Sequence, residues 1–225
     1  MPTEVKRKRI GLLGGTFDPV HNGHLAVADH VQHALGLDSI WFIPAALPPH
    51  KDGHGDGQEI SSFVHRLAML EKAIGKNSSF VVSDIEGKRS SLSYSIDTIN
   101  ILISQAKDQV DLFFIIGVDA FLEIDTWKRY KDLPNLVNFV IISRPAYSPD
   151  EAGEVICKNF DGYAYDPALK IWSSPTSKGY FILQHIKPVH ISSTYIRESV
   201  RSGKDIDGLI PPAVEEYIKD KGLYI

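Results

Sequence analysis

Arg9-Ile10-Gly11-Leu12-Leu13 runs without a break into Gly14-Gly15-Thr16-Phe17-Asp18-Pro19-Val20-His21-Asn22-Gly23-His24. After it, Leu25, Ala28, Val31 and Leu35 keep helical spacing, and Gly36 stands where a helix stops. A short apolar run, a tight glycine turn and a helix beginning near His24 make the first strand–helix unit of an α/β chain. The same alternation continues outward in the runs 40–43 (IWFI), 80–83 (FVVS), 112–116 (LFFII), 139–143 (FVIIS) and 180–183 (YFIL). Most lack strict alternation, as strands covered on both faces do. Ile96, Ile99, Leu102, Ile103 and Ala106 repeat the helical pattern before LFFII. The expected fold is therefore α/β, with a doubly wound, mostly parallel sheet and right-handed crossovers. Ligands of such sheets sit beyond the carboxyl ends of the strands, so chemistry is expected directly after these runs.

Two stretches fit the alternation poorly. Residues 48–57 (PPHKDGHGDG) are rich in breakers and read as a mobile surface loop. Residues 145–177 lack clear periodicity and read as an irregular insertion or a minor helical excursion. Pro211-Pro212 followed by AVEEYIKDKG predicts a helix opened by proline and closed by Gly222. The whole of 1–225 is expected to be one domain with a small C-terminal helical part.

At 225 residues and 43% hydrophobic, the chain can bury a core of its own. No apolar run approaches the ~18–20 residues of a membrane span. The segment after MPTEVKRKR is too short for the core of a signal peptide. The single Cys157 excludes an internal disulfide and a cysteine-built metal cage, and it suits a reducing compartment. A formal charge of −4 without a basic stripe argues against nucleic-acid binding. The expectation is a cytoplasmic protein with no membrane and no nucleic-acid partner.

The glycine–histidine loop carries the strongest chemical signal. Gly14 and Gly15 let the backbone turn sharply, and the following helix start turns free N–H groups toward an anion. His21 and His24, three apart, fall on one side of a helical turn, with Gly23 leaving room between them. Two imidazoles aimed at a phosphate can donate hydrogen bonds that strengthen as charge moves to a leaving oxygen. Neither G-x-x-x-x-G-K-[ST] nor G-x-G-x-x-G is present, so a P-loop and a hydride-transfer cofactor have no support. A zinc site on the two histidines lacks a third partner nearby. The second signal is Ile191-Ser192-Ser193-Thr194-Tyr195-Ile196-Arg197. Ser192 or Ser193 can cap a helix, with both hydroxyls facing outward, and Arg197 one turn in suits a bidentate grip on phosphate.

GGTFDPVHNGH and ISSTYIR together resemble the nicotinate-nucleotide adenylyltransferase family of the H-x-G-H nucleotidyltransferases, over about Ile10 to Tyr224. IPAALPPHK (43–51), Arg66 and Leu70, Ser93-Tyr94-Ser95, Ile116-Gly117-Val118-Asp119 with Trp127, and Arg144-Pro145 match further family segments. Leu92 departs from a common proline, and Ser95 stands for the usual threonine.

The resemblance implies a Rossmann-like nucleotidyltransferase fold. It also implies adenylyl transfer from ATP to nicotinate mononucleotide in NAD biosynthesis, with Mg²⁺ accompanying ATP and no metal site in the chain. His21, His24, Lys51 and Arg197 would be the catalytic groups. Gly14, Gly15, Thr16, Phe17, Gly23, Gly117, Asp119, Ser192 and Ser193 would line ATP, with Gly117 and Asp119 at the ribose. Trp127 would stack on the pyridine ring, Ser95 and the Lys128 backbone would meet its carboxylate, and Arg144 would complete the substrate side. Spacing alone leaves open nicotinamide mononucleotide as acceptor, a non-catalytic nucleotide sensor, and whether the chain forms a homo-oligomer. A class I aminoacyl-tRNA synthetase is disfavoured because the K-M-S-K-S loop is absent.

Overall fold

The computed structural model describes residues 7–48, 60–106, 109–143, 149–187 and 190–225. Their elements, in chain order, are β1 (Lys8–Gly15), α1 (Asn22–Leu35), β2 (Ser39–Pro44), α2 (Phe63–Ile74), β3 (Phe80–Val82), α3 (Ser95–Ala106), β4 (Val110–Gly117) and α4 (Val118–Leu122). They continue as β5 (Asn138–Ser143), α5 (Pro149–Asn159), β6 (Ala164–Asp166), β7 (Ile171–Ser173), β8 (Phe181–His185), α6 (Ser193–Arg201) and α7 (Pro212–Lys221). Among the described residues the strands pair in parallel except at β7, so the α/β, mostly parallel expectation holds. The chain groups into two units. One takes residues 1–13, 31–39 and 94–188; the other takes 14–30, 40–93 and 189–225.

In the first unit the strand order is β1-β4-β5-β8-β7-β6. Ile10 pairs with Leu112, Phe114 with Phe139 and Ile141 with Leu183, all in parallel register. The continuous apolar runs are needed because the central strands are covered on both faces: five consecutive residues of β4 and five of β5 are buried. Phe139 lies parallel to Phe181 at 5.0 Å, and Phe121 packs on both. Of the two readings of 145–177, the described residues 149–177 overturn the irregular insertion and bear out the helical excursion. They include the eleven-residue helix α5 and two three-residue antiparallel strands, β6 and β7. Strands that short show no alternation to read. Their turn is closed by Asp166, whose Oδ1 accepts from the N–H groups of Ala168 and Leu169.

In the second unit β2 and β3 pair in parallel, Ile40 opposite Phe80. Ser62 caps α2, and Arg66, Met69 and Leu70 are its buried residues. Val214 and Ile218 are the buried residues of α7, and its Tyr217 hydroxyl meets His65 Nδ1 of α2 at 3.0 Å. Pro212 opens α7 and Gly222 ends it in the left-handed conformation at φ 59°, as the sequence predicts. α1 begins at Asn22, two residues earlier than expected. The N–H groups of His24 and Leu25 already bond the His21 carbonyl, and Asn22 N–H is held by the Leu209 carbonyl.

Candidate active site

The second unit builds one cluster around the glycine–histidine loop. Gly14 and Gly15 end β1, and the chain then turns through Phe17 at φ 53°, a left-handed conformation that a bulky side chain adopts only under constraint. The constraint is burial: Phe17 is 2% exposed. A Cβ on Gly15 would stand 3.0 Å from the Phe17 ring, so glycine is what lets that ring tuck under the loop. The ring meets His24 edge-on at 4.9 Å. His24 in turn stacks on His21, centroids 3.6 Å apart and 21° from parallel. The His21 N–H donates to His24 Nδ1 at 3.2 Å. In neutral His24 that acceptor role puts the ring proton on Nε2.

The ISSTYIR segment is fastened to the same loop. Ser193 Oγ donates to the Pro19 carbonyl at 2.9 Å, and Arg197 Nη1 donates to the Asp18 carbonyl at 2.8 Å. Two motifs more than 170 residues apart thus share adjacent carbonyls. The two serine hydroxyls do not face outward together, which corrects the sequence expectation. Ser192 caps α6 by accepting from Tyr195 N–H, while Ser193 spends its proton on Pro19. Arg197 is likewise seated against the loop, with Nη2 also donating to Thr194 Oγ1 at 3.4 Å.

Three residues outside the predicted set hold this arrangement. Asn22 Nδ2 donates to the Gly208 carbonyl. Arg66, 2% exposed, donates to the carbonyls of Ser61, Thr16 and Ala45 at 2.7–2.9 Å. Burial lowers its pKa, with Asp18 opposing that shift. Tyr224 donates to Asp18 Oδ1 at 2.6 Å. Its pKa is driven well up, first by burial and then by the Asp18 charge. Arg66 was visible only as a helix residue matching the family, and Tyr224 carries no local signal.

The first unit holds the remaining described candidates. Gly117 ends β4, and a Cβ there would strike Asp119 Oδ1. Glycine therefore lets the exposed Asp119 carboxylate fold back over the strand end. Trp127 is half-buried at the end of a short 3₁₀ segment, Ile124–Thr126, and stands perpendicular to Phe114 with centroids 6.0 Å apart. Ser95 is the first residue of α3. Two residues on, Asp97 pairs with Lys128 Nζ at 2.9 Å, and that ammonium lies 4.7 Å from the Tyr94 ring centre. The Lys128 side chain is thereby tied to the first turn of the helix that Ser95 begins. Lys51 and Arg144 lie outside the described residues. Among the described residues no group of three His, Cys, Asp or Glu could hold a metal ion, and no helix is long and apolar enough to cross a membrane.

A chemical reading follows from the donor set. Imidazole, guanidinium and the start of a helix converge on the loop of the second unit. The loop's one acidic residue, Asp18, is 3% exposed and has both carboxylate oxygens engaged, by Tyr224 and by Ser61 N–H. Such a surface suits an anion with several oxygens, a phosphate chain above all.

Comparison with known proteins adds a family. Residues 12–199 match the family described as cytidylyltransferase-like. A "probable nicotinate-nucleotide adenylyltransferase" of Citrifermentans bemidjiense is 41% identical over 218 residues, covering 96% of this chain and 98% of that protein. One of the same description from Geobacter sp. strain M21 is 42% identical, with the same coverage. Among solved structures, Plasmodium falciparum nicotinic acid mononucleotide adenylyltransferase complexed with NaAD superposes with a TM-score of 0.71 at 22% identity, covering 96% of this chain and 97% of that one.

Proposed function

The chain belongs to the cytidylyltransferase-like family, and from that premise we propose that it is a nicotinate-nucleotide adenylyltransferase, joining ATP and nicotinate mononucleotide into nicotinate adenine dinucleotide and pyrophosphate. The observation that carries the site assignment is the fastening of Ser193 and Arg197 to the Pro19 and Asp18 carbonyls, beside the His21–His24 stack. The family match over 12–199 supports one nucleotidyltransferase domain spanning the chain.

In the reaction an oxygen of the mononucleotide's 5′-phosphate attacks the α-phosphorus of ATP in line. The new O–P bond forms as the bond to the bridging oxygen breaks, and its electron pair leaves on pyrophosphate. No protein nucleophile is required, so the chain contributes positioning and charge stabilisation. His24 Nε2–H is the donor set for the phosphate chain, with His21 held against it, and Arg197 supplies positive charge for the departing pyrophosphate. Mg²⁺ enters as part of the MgATP substrate: Asp18 is committed to Tyr224 and Ser61, so the loop offers donors to the phosphates. In the first unit Asp119 would accept from ribose hydroxyls, Trp127 would offer its ring to the pyridine, and Ser95 and Lys128 would meet the carboxylate.

Pyrophosphate release by the purified chain with MgATP tests this, comparing nicotinate with nicotinamide mononucleotide. Faster release with the acid is expected. Preference for the amide would overturn the acceptor, and silence with both would overturn the enzyme.

A further inference from the structure

Resting on that function, we infer that Tyr224 is a positioning residue: its hydroxyl fixes Asp18, and Asp18 seats Arg197 and the histidine loop for adenylyl transfer. Asp18 works as a joint. Its side chain accepts from Tyr224 O–H at 2.6 Å and from Ser61 N–H at 3.1 Å, while its own carbonyl accepts from Arg197 Nη1 at 2.8 Å. A shift of the carboxylate therefore turns the peptide that Arg197 grips, next to the one that Ser193 grips.

Tyr224 has the features of such a role. It sits at φ 68°, in the left-handed region that a bulky residue occupies only when its surroundings demand it. Its hydroxyl bonds a buried carboxylate, and such a bond is stronger than a neutral one. Met69 Sδ lies 3.9 Å from that oxygen on a side chain with no exposure, and the Ser61 side chain also bonds the hydroxyl. The partners of the hydroxyl are thus groups of the protein, and the short bond among them goes to Asp18. Burial keeps it protonated and hence a donor across the working pH range. Arg66 donates to the Thr16 carbonyl inside the loop and to the carbonyl of Ser61, whose N–H holds the other Asp18 oxygen. Packing alone would need only the ring, which phenylalanine keeps.

The test is Tyr224→Phe, assayed by pyrophosphate release after the wild-type chain has been shown to turn over. We expect kcat to fall about 10-fold, inside the ~10²-fold that a 1 Å misplacement costs. The KM for nicotinate mononucleotide should stay within about 2-fold. In an Arg197→Lys background the same change should cost almost nothing more, because residues acting as one unit are not additive. An unchanged kcat, or an equal loss in both backgrounds, overturns the inference while leaving the function standing. A wild-type chain without turnover sinks the function and the inference together. Should Tyr224→Phe not fold, Asp18→Asn weakens the same bond from the other end. Failure of both to fold would assign the bond to stability alone and overturn the proposal.

Discussion

At the scale of residues, the His21–His24 pair separates what spacing reveals from what geometry adds. Three-residue spacing puts both rings on one side, and they stack at 3.6 Å. Which nitrogen faces a ligand was not legible, because it depends on a backbone N–H reaching back to Nδ1. His24→Ala should lower kcat by ~10² or more, as loss of a transition-state donor does; a folded variant with near wild-type turnover would remove His24 from the mechanism. His24→Gln should recover part of that loss, since its amide can donate where Nε2 does. Trp127→Ala should act on the other substrate, raising the KM for the mononucleotide while that for ATP holds. A defect confined to ATP would contradict the stacking role. Asp18 marks the limit of reading at this scale. It stands inside the most informative motif of the chain, yet its partner lies 206 residues away, and no local pattern announces Tyr224.

Elements decide how these residues are presented, and α6 shows it most directly. Ser192 closes its first turn, and the helix then carries Arg197 back toward the loop. Ser192→Ala should cost ~1 kcal/mol of stability, the usual worth of a cap. It should also raise the KM for ATP by loosening the turn that bears Ser193. A lower denaturation midpoint with unchanged ATP kinetics would show that the cap is structural only. Most elements were legible because period and length agree: LFFII and FVIIS are five buried residues each, bounded by breakers. β6 and β7 were not, since three residues cannot establish a period and their pairing is set by the Asp166 turn. α5 was legible only as a minor helical excursion, because its buried apolar residues Ala152 and Ile156 stand among acidic and polar neighbours in PDEAGEVICKN. Ser192 and Ser193 were legible as a cap, but which of the two does it depends on where the Pro19 carbonyl falls.

For the molecule as a whole, both units hold half-buried tyrosines, and this gives stability a sign in alkaline solution. Tyr163 and Tyr180 in one unit and Tyr224 in the other all have pKa values raised, with burial the first cause in each. Burial disfavours the phenolate, so above the ordinary tyrosine pKa of ~10 the folded chain holds protons that the unfolded chain has released. Stability falls with pH wherever the native state binds more protons. The contribution of these three groups is therefore complete below pH ~10 and is lost as pH rises through their raised values. Urea midpoints should be level between about pH 8 and 9 on this account and should drop beyond ~10. Tyr163→Phe should flatten the drop only in part, because it retains the ring while removing one of three titrating hydroxyls. Its bonds to Ser177 and the Gly179 carbonyl are lost as well, which lowers the midpoint at every pH without changing the slope's sign. A midpoint that stays level across that window, with tyrosinate absorbance rising at the ordinary pKa, would mean that these hydroxyls are open to solvent.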